Sequence, residues 1–207
     1  MTRQTIAICL IIILAMPALA LEYLPLEPGI TWIYGGGAQA TVYEPQVING
    51  VDTKPLFVAW PEVEGRTYYL SDTEAGATIV EIMWHSGFWV DGQWFLEAFM
   101  YDLSASFPLF TRPLAPGALP AVEVESNMGI HLLVSTVLEE QVLSTPLGDL
   151  MVMPVELVDM TLGELTATFY LHREYGLVGY DEYRVEAIEG IVPVAPRSLS
   201  GIKALFH

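Results

Sequence analysis

Short runs of β-branched and aromatic residues, each closed within a few positions by a turn signal, make up most of this chain. The pattern is clearest from Pro146 to Ile191, where Leu147-Gly148, Leu162-Gly163, Tyr175-Gly176 and Glu189-Gly190 cut three or four strands. Upstream, Asn49-Gly50 separates two β-rich runs. This dipeptide supplies the two positive-φ positions of a type I′ hairpin turn. Arg66 to Leu70 and Ala77 to Trp84 flank the polar tip Ser71-Asp72-Thr73-Glu74-Ala75-Gly76, which predicts a hairpin with a longer loop. Asp91-Gly92 closes a third hairpin, and a two-residue turn there sets Val90 opposite Gln93, Trp89 opposite Trp94 and Phe88 opposite Phe95.

The first full strand is expected near Ile30, after Pro25 and Pro28-Gly29. Gly35-Gly36-Gly37 is not a phosphate loop, because neither a Lys-Ser/Thr pair nor an apolar helix follows it. Pro108, Pro113, Pro116 and Pro120 mark Ser104 to Pro120 as an extended connection between two groups of strands. Ile130 to Val142 fits helical spacing at Ile130, Leu133, Val134, Val137 and Leu138. Its β-branched content and lack of a cap favour a strand. The fold class is therefore mainly β and antiparallel, built from consecutive hairpins, with little helix beyond the N-terminal segment.

That segment, Met1 to Ala20, has Arg3 as its only charge, an apolar run from Ile6 to Met16 and the ending Ala18-Leu19-Ala20. A spanning helix needs about 20 apolar residues, so this is the plan of a secretory signal peptide cleaved after Ala20. It leaves 21–207 as one domain with no transmembrane span. Cys9, the only cysteine, falls inside the leader, so the remainder can form neither a disulfide nor a Cys-ligated metal site. With 8 basic residues against 25 acidic, the formal charge of −17 argues against nucleic acid and anionic membrane surfaces.

Tyr23-Leu24-Pro25-Leu26, Pro28-Gly29 and Thr31-Trp32-Ile33-Tyr34 resemble the opening of many exported bacterial proteins. Those proteins often carry hairpins like Val47 to Val51, turns like Thr145 to Gly148 and stretches like Tyr170 to Val178. The group is related to the periplasmic lipoprotein carriers (LolA/LolB-like). The resemblance implies a strongly curved antiparallel sheet forming an incomplete barrel, and an exported, periplasmic or extracellular location. It does not imply lipoprotein carriage, since no residue here aligns with a cargo-binding position.

Chemistry is sparse along the chain. His85, His131, His172 and His207 are isolated, with no metal-ligand spacing, and no metal or cofactor is expected. Ser200-Gly201-Ile202-Lys203 matches S-x-x-K without its partner motifs and too near the terminus. There is no G-x-S-x-G, and no catalytic residue is assigned. Acidic pairs occur at Asp72 and Glu74, Glu123 and Glu125, Glu139 and Glu140, and Asp181 and Glu182. Glu123 and Glu125 would share a strand face as solvated edge charges.

The aromatic hairpin carries the candidate ligand-binding residues Trp84, Phe88, Trp89, Trp94 and Phe95. Trp89 and Trp94 fall on one face, and Trp84, Phe88, Phe95 and Phe99 on the other. If one face fills the core, the other can line a cavity for an acyl chain or stack on a sugar. The expected role is an exported, non-enzymatic protein that binds a lipid or other apolar small molecule, or an envelope protein partner. The alternatives are an acidic glycan hydrolase using two carboxylates and a purely structural envelope module.

Overall fold

The computed structural model describes residues 23–61, 64–90, 93–126 and 129–190, and of 86–90, 93–105 and 164–166 the backbone alone. The expected leader, Asp91-Gly92, Ser200-x-x-Lys203 and His207 lie outside the described residues. So do the side chains of Phe88, Trp89, Trp94, Phe95 and Phe99.

The chain runs through β1 (Thr31–Tyr34), β2 (Gln39–Val42), β3 (Gln46–Ile48), β4 (Val51–Ala59), β5 (Gly65–Thr73), β6 (Gly76–Val90), β7 (Gln93–Thr111) and β8 (Gly117–Ala118). It continues as β9 (Val122–Ser126), β10 (Gly129–Val137), β11 (Gln141–Thr145), β12 (Gly148–Asp159), β13 (Glu164–His172), β14 (Gly176–Tyr180) and β15 (Tyr183–Glu189). Among the described residues these make one antiparallel sheet of 15 strands. Its order is β11-β12-β13-β14-β15-β1-β2-β4-β5-β6-β7-β9-β10-β8, with β3 paired to β4. β10 also pairs with β12, from Leu133↔Asp159 to Val137↔Val155. β10 and β12 also carry the short flanking strands β8 and β11.

One face is largely apolar. Trp32, Tyr34, Leu56, Tyr68, Phe107, Val155, Phe169, Leu177 and Tyr180 are fully buried. In β10 the alternation is plain: His131, Leu133, Ser135 and Val137 are buried, while Ile130 and Leu132 are exposed. This period of two settles the helix-or-strand ambiguity of that segment. The strand stops at Val137, however, and Gln141 opens the next one.

The turns follow their chemistry. Asn49 (φ 52°) and Gly50 (φ 79°) both take positive φ between Ile48 and Val51, as a type I′ turn requires. In the third hairpin, Phe88↔Phe95, Trp89↔Trp94 and Val90↔Gln93 pair as the sequence predicts.

Two expectations are corrected. The polar tip after Leu70 is not a long loop: β5 and β6 remain paired to Thr73↔Gly76. Polar strand residues are tolerated there because Asp72 pairs with Arg112 at 2.7 Å and Thr73 Oγ1 donates to the Gly76 carbonyl at 3.2 Å. Ser104 to Pro120 is also not one extended connection. β7 continues to Thr111 and buries Phe107, Leu109 and Phe110, so the link begins only at Arg112. β9 pairs with β7 at Tyr101 and Asp102 only, and a strand with one ladder tolerates a proline such as Pro108. The Asp181-Glu182 turn gave no Gly or Pro signal. Asp181 adopts φ 47° itself, and its Oδ1 accepts the Thr168 amide at 2.7 Å.

Candidate functional site

Antiparallel register brings alternate turns to one end of the sheet. The connections after Tyr34, Ala59, Val90, Ser126, Asp159 and Tyr180 all lie there, and that end gathers most of the chemistry. β5 stops pairing with β6 at Gly65↔His85, and β9 stops pairing with β7 at Tyr101↔Ser126. Beyond those points β6 and β7 have each other as ladder partners, so the predicted aromatic hairpin is a two-stranded ribbon projecting past its neighbours.

Trp84 stands at the base of this ribbon, opposite Phe99 on β7 and Arg66 on β5. Its half-buried ring carries the Arg66 guanidinium at 4.3 Å, and the Trp60 ring lies 5.7 Å from the same cation. Arg66 Nη1 donates to the Tyr180 hydroxyl at 3.4 Å, and that hydroxyl meets the Tyr68 hydroxyl at 2.6 Å. Phe169 packs edge-on against Tyr68 at 5.1 Å and Tyr180 at 5.3 Å. Burial holds the Tyr180 phenol well above its ordinary pKa and raises that of Tyr68, so both stay neutral at working pH. Burial works against the charge on Arg66, but Tyr68 and Tyr180 outweigh it and the guanidinium stays charged. Burial also raises the Asp181 carboxyl, against the pull of the Thr168 amide and Arg66. The result is a cation flanked by aromatic faces, an arrangement favourable in a desolvated setting. Trp84 Nε1 is buried with no hydrogen-bond partner.

Across β7 the same face reaches a second group of polar side chains. Ile82 and Ser126 both pair with Tyr101, from opposite sides. Ser126 ends β9, and its Oγ lies 3.0 Å from His131 Nε2. His131 Nδ1 lies 2.7 Å from Asp159 Oδ2. Asp159 Oδ1 accepts the backbone amides of Thr161 at 2.9 Å and Leu162 at 3.3 Å. His131 and Asp159 are 5% and 2% exposed, so this polar set is built into the core margin.

Of the predicted ligand-binding residues, Trp84 is thus placed with Arg66 and Trp60. Phe88, Trp89, Trp94 and Phe95 are placed by backbone register alone. The acidic pairs are dispersed: Glu123 and Glu125 are exposed on β9, Asp72 is engaged with Arg112, and Glu139 and Glu140 are exposed before β11. No group of three or more His, Cys, Asp or Glu positioned for a metal ion occurs among the described residues. Sequence reasoning missed Arg66, which reads as an ordinary polar strand residue. It also missed Ser126, His131 and Asp159, which match no motif spacing and meet only through the β9–β10 and β10–β12 pairings.

At the opposite end, His172 closes the β13–β14 turn. Its Nδ1 accepts the amides of Glu174 at 3.1 Å and Tyr175 at 3.2 Å, and its ring stacks on Tyr175 at 4.8 Å. Burial lowers its pKa, with Arg173 adding to that and Glu174 and Glu140 opposing it. Because the folded pKa is depressed, the unfolded chain takes up this proton first as pH falls through about 6.5. Stability then declines until the folded-state pKa is passed, since protonated Nδ1 can no longer accept either amide. The melting temperature should fall between pH 7.5 and 5.5, and His172→Gln should flatten that slope. An unchanged slope in the variant would exclude His172 as the group responsible.

Comparison with protein-family models, curated proteins and solved structures found no match.

Proposed function

We propose that this is an exported β-sheet protein that binds an apolar ligand, such as a lipid carrying an acceptor oxygen, at the ribbon end of the sheet. The observation that carries this reading is the Trp84–Arg66–Trp60 stack. It combines apolar ring surface, a fixed positive charge and a buried indole N–H without a partner. Ligand sites are largely apolar with a few placed polar groups, and this cluster has that composition. The projecting ribbon adds Phe88↔Phe95 and Trp89↔Trp94 to the same end. Burying an apolar chain there contributes about 25 cal/mol per Å² removed from water, before the cost of ordering the ligand.

The test is titration of the purified protein with a fluorescent fatty acid. Saturable binding should weaken at least about tenfold in Trp84→Ala. It should weaken again when Trp89 and Trp94 are both replaced by alanine, with thermal melts showing each variant folded. Failure of a folded wild type to bind would overturn the reading and turn attention to an envelope protein partner.

A further inference from the structure

The geometry points to a second, chemical capacity at the same end: we propose that Ser126 is a nucleophile that hydrolyses carboxylic esters with apolar chains. The proposal stands on residues distinct from the Trp84 stack, so the two can fail separately.

Three relations carry it. First, Asp159 Oδ2 accepts from the His131 Nδ1–H at 2.7 Å, which fixes the tautomer and leaves the Nε2 lone pair facing Ser126 Oγ at 3.0 Å. Second, Asp159 is itself held by the amides of Thr161 and Leu162, so the orienting carboxylate is anchored by the β12–β13 turn. That turn is in turn fastened to β10: the Met160 amide donates to the Leu132 carbonyl and the Leu132 amide to Thr161 Oγ1, each at 2.8 Å. Third, burial is graded along the chain of groups, from Asp159 and His131 in the core margin to a half-buried Ser126 beside the β9–β10 turn. Nucleophile, base and orienting acid thus meet the geometric criterion for an activated serine, whatever their order in sequence. The Ser126 hydroxyl also lies 3.2 Å from the Gly129 carbonyl, so in the free protein its proton has two acceptors.

The substrate class follows from the surroundings. Met160 and Leu162 follow Asp159 and are both exposed. Met160 and Leu162, exposed in the turn that anchors the relay's carboxylate, favour an ester whose acyl or alcohol part is apolar. In the reaction, Ser126 Oγ bonds to the acyl carbon as its proton passes to His131 Nε2. The ester C–O bond breaks, and the leaving oxygen takes that proton to depart as the alcohol. Water then attacks the acyl-serine, giving its proton through His131 back to Ser126 Oγ and releasing the carboxylic acid. Ester plus water becomes acid plus alcohol, with no redox change.

The experiment uses the purified protein, an alkyl fluorophosphonate, and p-nitrophenyl acetate, butyrate and octanoate. The expected result is a single phosphonyl adduct mapped to Ser126 by mass spectrometry and absent in Ser126→Ala. Ester hydrolysis should be fastest with octanoate, fall at least about 100-fold in Ser126→Ala and His131→Gln, and rise with pH along a single ionisation. Asp159→Asn, which disturbs the tautomer rather than the fold alone, should alter that pH profile as well as the rate. Ser126→Ala removes one half-buried oxygen, and a cooperative thermal melt showing the variant folded keeps the comparison valid. No adduct at Ser126 in the folded wild type, an adduct rate unchanged in folded His131→Gln, or hydrolysis unaffected by Ser126→Ala would each overturn the proposal. A flat response to acyl length would overturn the substrate class.

Discussion

Replacing Phe169 with alanine is expected to destabilise the protein by about 3–5 kcal/mol, the usual range for removing a fully buried aromatic ring. Phe169 is 0% exposed and sits where both halves of the strand order meet. Its neighbours Tyr68 and Tyr180 come from β5 and β14, and their hydroxyls are hydrogen-bonded to each other. Deleting the ring removes its transfer energy and two edge-on contacts, and leaves a cavity that two hydrogen-bonded tyrosines cannot easily fill. For a chain of this size each kcal/mol lowers the melting temperature by about 2–4 °C. Tyr180→Phe should cost much less, about 1–2 kcal/mol, because it keeps the ring and loses one buried hydroxyl pair. Urea unfolding followed by Trp fluorescence measures both. Equal midpoints for Phe169→Ala and wild type would mean that this ring is not part of the core.

Gly76→Ala is expected to cost about 3 kcal/mol for a different reason. Gly76 has φ +143°, and a Cβ added there would sit 2.1 Å from the Phe110 carbonyl oxygen and 2.8 Å from Thr111 Cα. Both obstacles are backbone of β7, so relief requires opening the ladder rather than turning a side chain. Unfavourable backbone geometry and forced overlap contribute about 1–3 kcal/mol each. Gly50 provides the control. It has φ +79° but open space around its Cβ position, so Gly50→Ala should show only the conformational part, about 1 kcal/mol. If the two variants melt together, the β6–β7 contact at Gly76 is not as close as described.

What the sequence revealed and what it concealed have one physical origin. Turn chemistry and period-two patterning are local, so Asn49-Gly50, the Phe88↔Phe95 register and the strand character of β10 could be read directly. The tip after Leu70 was misread because polarity alone signals a loop. Here a partner 39 residues away, Arg112, gives Thr73 a hydrogen bond, and the same guanidinium neutralises Asp72 within a strand. The β7 segment from Ser104 was misread because its prolines were given more weight than Phe107, Leu109 and Phe110. The candidate sites are non-local in the same way. Trp84 was singled out for its neighbours in sequence, but its immediate partner is Arg66, one hairpin back. Ser126, His131 and Asp159 become a set only once β12 has paired with β10, a strand-order event that no spacing encodes.

The segregation of turns also gives the molecule a usable polarity. The stack, the serine relay and the ribbon base share one end, while the turns after Ile48, Thr73, Thr145 and His172 occupy the other. Glu74 is exposed in one of those far turns, and the chain's single cysteine lies back at position 9 in the expected leader. With Cys9 replaced by serine, a thiol introduced by Glu74→Cys would be a unique attachment point. Anchored there to a bead or sensor surface, every copy would present the same end to solution, with the Trp84–Arg66–Trp60 stack and the Ser126–His131–Asp159 relay oriented outward.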